Sequence, residues 1–244
     1  MRPATASTGW TRPSLITNPW LRWGLYLGLL VYVIAAVSTL DVNWQRVLSG
    51  LANGWRILEG FLAPDFTTRA SDIWQGMEES LTMTLTSTVV GCLISIPIGL
   101  GAARNISPLP VYAVCRAIIT VSRAFQEIIV AILFVAMFGF GPFAGFLTLS
   151  FATIGFMAKL LAEDIEDIKE VQAEAIRATG ATWWQVINYG IQPQVMPRLI
   201  GLSVYRLDIN FRESAVSGIV GAGGSGASLN TARQRDDYYT AGAF

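Results

Sequence analysis

Histidine does not occur anywhere in the 244 residues, and cysteine and lysine occur only twice each, as Cys92, Cys115, Lys159 and Lys169. Without an imidazole there is no His general base, no Ser–His–Asp arrangement and no His-ligated metal. The two cysteines lie in separate apolar segments without metal-type spacing, so each is expected as a free thiol. Neither lysine follows a glycine, whereas a G-x-x-x-x-G-K-[ST] loop needs its lysine there to reach the β- and γ-phosphates. The chain therefore has no Walker site of its own. Charge is scarce too: 14% of residues are charged, against roughly 25% in a soluble domain. The 17 basic residues balance the 17 acidic ones, so nothing points to nucleic acid, while 52% of the chain is hydrophobic. That composition is one of a multi-spanning membrane protein.

Residues 1–22 form a polar leader with Arg2, Arg12 and Arg22 and no acidic residue. Trp23–Leu40 is uncharged and, at 18 residues, just long enough to span. A cleaved signal peptide is the competing reading of this end; the leader is long for one, and its basic charge places the N-terminus in the cytoplasm. Residues 23–75 thus hold a first span and an outer loop, whose stretch WQRVLSGLANGWRILEGFL is amphipathic and suited to the interface. Residues 76–244 form the core. Ser80–Ala103 is a second uncharged span, and 31 uncharged residues from Ile128 to Ala158 are interrupted by "GFGP" at Gly139–Pro142. Gly–Pro punctuation makes this two helices. The half before the turn is too short to span, so a third span is expected to extend back to residues 112–118 and to draw Arg123 and Glu127 into the membrane. Phe143–Leu160 is the fourth span and Met196–Val220 the fifth, carrying Arg206, Asp208, Arg212 and Glu213.

Between the last two spans, residues 163–194 turn polar. Apolar residues at 165, 168, 171, 175 and 178 follow one face of a helix over Glu163–Thr179, with acidic residues on the other faces. Gly180 suits the left-handed position that ends a helix. Thr182-Trp-Trp-Gln185 has the spacing of a capping box, and Pro193 and Pro197 punctuate the exit. The stretch reads as two short helices with a tight corner projecting from the membrane, either packed on the protein itself or presented to a soluble partner.

Glu174-Ala175, Gly180 and Pro193 resemble the EAA loop of ABC importer permeases. Ile176 stands where a second Ala is usual, and Gly190-Ile191-Gln192-Pro193 where I-x-L-P is usual. Further stretches, "SLTMTLTSTVVGCLISIPIGLGAARN", "FGFGPFAGFLTL" and "QVMPRLIGLSVYRLDINFRESAVSGIVGAGGSG", are similar to the phosphonate-importer permeases over about residues 70–235. The resemblance implies an all-α, multi-spanning bundle of the type I importer kind in a bacterial inner membrane. It implies an ATPase-coupling set of Glu174, Ala175, Gly180, Thr182, Gln185 and Pro193, and a further span after the glycine-rich tail that this sequence does not contain. It also implies partners: a second permease subunit, identical or not, two cytoplasmic ATPases that hold ATP and Mg, and a periplasmic or lipid-anchored binding protein. The implied cargo is a phosphonate or a related oxyanion such as phosphite, with no cofactor in this chain.

Two features remain. Gly221–Gly226 spells G-x-G-x-x-G, but it follows a membrane span and no βαβ pattern surrounds it, so the glycines are read as a sharp re-entrant turn. The intramembrane charges give the candidate pathway: Arg123, Gln126, Glu127, Arg206, Asn210, Arg212 and Glu213. In a continuous third span Glu127 lies about 16 Å from the end near Phe138, at 1.5 Å per residue, close to the middle of a core about 30 Å thick. Arg123–Glu127 and Asp208–Arg212 are each placed to pair at i,i+4. Arg206 is then the cation without a helical partner, sharing a face with Asn210 and Glu213. Purely structural pairing competes with this pathway reading, and an ion-coupled transporter or channel using Glu127 and Asp208 is the alternative function.

Overall fold

The computed structural model describes residues 18–40, 43–66, 69–235 and 238–242; Arg2 and Arg12 of the leader lie outside them. Every regular element among the described residues is a helix, and the chain divides into two compact units at Gly54–Trp55. In the first unit, α1 (Pro19–Ser38) starts four residues before the expected span. Asn18 caps it by accepting from the Trp20 N–H (3.1 Å), and Pro19 opens it, where the missing N–H costs nothing. None of its side chains is buried. The amphipathic stretch forms α2 (Trp44–Leu62), which continues past the division.

The second unit is built around α3 (Ala70–Gly101) and α6 (Pro142–Glu166), the most extensively packed pair in the molecule. Its logic suits lipid. The inward stripe of α3 is small and polar (Ser80, Thr84, Ser87, Thr88, Gly91, Ser95), while Leu81, Leu85, Val89 and Leu93 face outwards. Lipid tails accept leucine as readily as a core does, so association rests on close approach of small residues. A Cβ on Gly91 would lie 2.6 Å from Thr153 Cβ, which shows how near the backbones come. Gly145, Gly91 and Gly99 meet Met83, Thr153 and Leu161 in turn, so the two helices run parallel.

α1, α3 and α6 are each long and apolar enough to cross a membrane among the described residues. The third span is not the continuous helix expected. α4 (Leu109–Ala124) and α5 (Glu127–Phe138) meet at a 93° bend, with Phe125 and Gln126 extended between them. The fifth span is a single helix, α9 (Gln192–Ile219), but its charged residues keep it out of the set that qualifies by apolarity.

Two features mark the ends of the bundle, about 36 Å apart along the 25 residues of α6. At one end Gly221, Gly223 and Gly224 all have positive φ, and the loop folds back on the bundle. Its backbone bonds reach Gly141 (3.0 Å), Glu79 Oε2 (3.1 Å) and Ser80 Oγ (2.8 Å), and α10 (Ser225–Gln234) and α11 (Tyr238–Ala241) follow. A sharp glycine turn is thus present, and it fastens α9 to α3 and to the start of α6. At the other end stand α7 (Glu170–Ala178) and α8 (Trp183–Val186), joined to α9 by a π turn at Ile187–Ile191.

Candidate functional site

The corner between α7 and α8 is built from local chemistry. Gly180 has φ +80°, the left-handed value that ends α7 without a Cβ penalty. Gln185 Oε1 accepts from the Thr182 backbone N–H (2.8 Å) and hydroxyl (3.1 Å), which starts α8. The helix before the corner is not the continuous Glu163–Thr179 segment expected: α6 carries its first part as far as Glu166, and a new helix begins at Glu170. The predicted apolar stripe divides with it. Ile165 is buried in α6, whereas Val171 and Ala175 are exposed on α7 and it is Ala173 that is buried. Ala173 and Ile176 lie against Gly190 of the π turn, which fits there because it has no side chain. Glu174, Ala175 and Trp184 are left on the exposed surface.

Pro193 sits near the start of α9 and Pro197 inside it, so the prolines do not break the chain off. The π turn takes up the irregularity: the Gln192 N–H bonds back five residues to Ile187 O. Gln194, which nothing in the sequence singled out, fastens this joint by donating to Gly190 O (2.7 Å) and accepting from the Lys169 N–H at the start of α7 (3.1 Å). Glu166, also missed, accepts from the Arg104 N–H and from Arg116 Nη2, both at 2.8 Å. Trp183 Nε1 donates to Ile106 O (3.2 Å) and so ties α8 to the loop between α3 and α4.

A second constellation lies inside the bundle. Arg206 is 3% exposed and Asn210 fully buried. Arg206 Nη2 meets Glu127 Oε1 at 3.1 Å and Glu213 Oε2 at 3.4 Å, its Nε donates to Thr153 Oγ1 (3.2 Å), and its guanidinium lies over the Phe156 ring at 5.3 Å. Asn210 Nδ2 donates to Thr88 Oγ1 (2.8 Å) and Thr153 Oγ1 (2.9 Å). One network therefore joins α3, α5, α6 and α9. Arg206, Asn210 and Glu213 share a face as their spacing required, but Arg206 is not the cation without a partner. The bend at Phe125–Gln126 takes Glu127 away from Arg123 and delivers it to Arg206. Arg123 is left exposed in the last turn of α4, and no ion pair to it is found among the described residues. Gln126 is exposed at the break. Arg212 and Asp208 do pair (2.8 Å), but on an exposed face of α9 away from the network, so Glu127 and Asp208 do not form one site. Beside the network runs a groove of about 430 Å³ whose polar lining is Gln126, Glu127, Thr148, Glu213 and Ser217.

Residues 95–243 match the family of binding-protein-dependent transport system inner membrane components. The chain belongs to this family. It is an ABC importer permease subunit, a multi-pass protein of the inner membrane. It is 37% identical over 223 residues to the phosphate-import permease protein PhnE of Mycolicibacterium smegmatis; 91% of this chain is covered, but the chain spans only 42% of that relative's length. The phosphite transport system permease protein PtxC of Stutzerimonas stutzeri is 35% identical over 206 residues, covering 84% of this chain and 74% of the relative. Among solved structures, the permease matches the MetNI methionine ABC transporter in inward facing conformations with a TM-score of 0.57 at 27% identity, over 69% of this chain and 80% of the other. An amino acid ABC transporter with histidines matches with a TM-score of 0.60 at 20% identity, over 73% and 86%, which speaks to the fold alone.

Proposed function

We propose that this permease subunit passes a phosphorus oxyanion, phosphite or a phosphonate, across the inner membrane under the drive of an ATPase docked at the α7–α8 corner. The observation that carries the cargo is the agreement of its relatives: two permeases named for phosphate and phosphite import match most of this chain at 37% and 35% identity. The corner supports the coupling role. Its caps and the Gln194 clamp make it a stiff knob, and Glu174, Ala175 and Trp184 lie open on its surface. Two permease subunits enclose the pathway, each receiving one ATPase that holds ATP and Mg, and a binding protein delivers the oxyanion from outside. The groove at the α4–α5 break, lined by Gln126, Glu127 and Glu213 beside the buried Arg206–Asn210 network, is the pathway segment of this subunit.

Gly180→Val separates docking from folding. A Cβ at Gly180 would meet nothing within 4 Å, so the substitution acts through backbone strain at φ +80° alone. Vesicles containing wild-type permease, its ATPase and its binding protein should take up labelled phosphite or methylphosphonate on addition of ATP. The Gly180→Val complex should insert normally yet lose at least about tenfold in uptake and in co-purified ATPase, since a factor of ten is about 1.4 kcal/mol. Full ATP-driven uptake by this variant removes the corner from coupling, and failure of phosphite and methylphosphonate alike in the wild type removes the cargo.

A further inference from the structure

The buried network holds two carboxylates to one guanidinium. Both reach the same nitrogen of Arg206, at 3.1 Å and 3.4 Å, and both line the groove, whereas Arg206 does not. An anion entering the groove meets Glu127 and Glu213 before it meets the cation. In a medium where charges are weakly screened, that order repels it. As arranged, the network is closed to the cargo proposed above, and something must move before Arg206 can serve it.

The two carboxylates differ in what carries them. Glu213 stands on α9, seven residues from Arg206 on the same helix, and travels with it. Glu127 is the first residue of α5, directly after the two extended residues of the 93° break. The bonds from Arg206 to Thr153 and from Asn210 to Thr88 involve neither α4 nor α5, so a change of angle at Phe125–Gln126 that took Glu127 off Arg206 would leave them in place.

We propose that Glu127 is an exchangeable anion: its carboxylate occupies Arg206 in the place a phosphorus oxyanion takes during passage, and α5 carries it away and back as the break opens and closes. The proposal rests on the oxyanion cargo. Exchange of one anion for another keeps a counter-charge on Arg206 throughout, so the buried guanidinium is never left uncompensated. An arginine fork suits the oxyanion, presenting paired N–H groups to two oxygens at once. The returning carboxylate then competes the cargo off, so the site hands the anion on and does not retain it.

The test is phosphite binding to the permease–ATPase complex in nanodiscs, without binding protein, by equilibrium dialysis. Wild type should bind weakly. Glu127→Gln keeps the shape, removes the competing charge and should lower the Kd at least about tenfold. Glu127→Asp keeps the charge and should stay within about twofold of wild type, which a loss of packing alone would not predict. Glu213→Gln, which leaves the break untouched, should show a smaller gain and serves as the second probe if Glu127→Gln assembles poorly. Unchanged Kd in both Gln variants overturns the exchange, as does an Asp variant that binds as tightly as the Gln variant. Uptake by wild-type vesicles reports the cargo separately. Uptake with unchanged Kd across the variants defeats the exchange alone. Tighter binding by Glu127→Gln with no uptake of any phosphorus oxyanion defeats the cargo and leaves the exchange standing for oxyanions in general.

Discussion

Arg206 and Arg212 stand less than two turns apart on one helix and have opposite surroundings. Arg206 is buried against two carboxylates, a threonine hydroxyl and a phenyl ring; Arg212 is two-thirds exposed and touches one equally exposed aspartate. Removing one member of a buried pair strands charge where water cannot reach it, at a cost on the order of 3–5 kcal/mol, whereas an exposed pair is worth about 0–1 kcal/mol. Arg206→Gln leaves Glu127 and Glu213 facing each other, so complex yield and thermal midpoint should fall sharply. Arg212→Gln should leave both near wild type. Yield and midpoint of the two variants, measured side by side, check this; equal losses would mean that the exposed face of α9 is covered in the assembled transporter.

Gln194 does for the elements what Arg206 does for the interior. A single side-chain amide bonds both the π turn and the N–H of Lys169, the residue that caps α7, so it fixes how the corner leaves α9. Gln194→Leu keeps the bulk and loses both bonds, each worth about 0.5–1.5 kcal/mol. Backbone hydrogen exchange over residues 170–178 should accelerate at least about fivefold while α3 and α6 stay protected; unchanged exchange would show that Ala173 and Ile176 hold α7 by packing alone.

This scale also shows what the sequence disclosed. The corner was legible because Gly180, Thr182 and Gln185 act within a few residues of one another. The sharp turn at Gly221–Gly226 was legible for the same reason, whereas its anchorage on Glu79 and Ser80, 145 residues away, was not. The split of the third span was not, because no Gly or Pro marks Phe125–Gln126. Nor could Glu127 be assigned to Arg206 at a separation of 79 residues, when Arg123 offered a partner at i,i+4. The inward face of α7 was misjudged because its apolar residues serve two surfaces, one against Gly190 and one left open. Thr88 and Thr153 carried a usable signal: small polar residues recurring at helical spacing within otherwise apolar helices mark the inward stripe of a membrane bundle.

For the molecule as a whole, the two ends of α6 should face opposite sides of the membrane, with the corner in the cytoplasm. Ser71 and Asp167 are both exposed, one near the start of α3 and the other just beyond the end of α6. With the half-buried Cys92 and Cys115 replaced by alanine, Ser71→Cys should react with an impermeant maleimide in intact cells and Asp167→Cys only after permeabilisation. The reverse pattern would invert the topology. The π turn acquires a meaning at this scale. A helix carries rotational phase as well as direction, about 100° for each residue at 3.6 residues per turn, and a π turn holds one residue more than an α turn would. The extra residue at Ile187–Ile191 sets the azimuth of Trp183 and Trp184 against the Arg206 face of α9. Straightened into a regular α-helix without loss of that residue, the joint would turn the corner by roughly a quarter of a revolution about the α9 axis. The joint is therefore a phase plate between the α7–α8 corner and the Arg206 network, and a twist there reaches both without bending either helix.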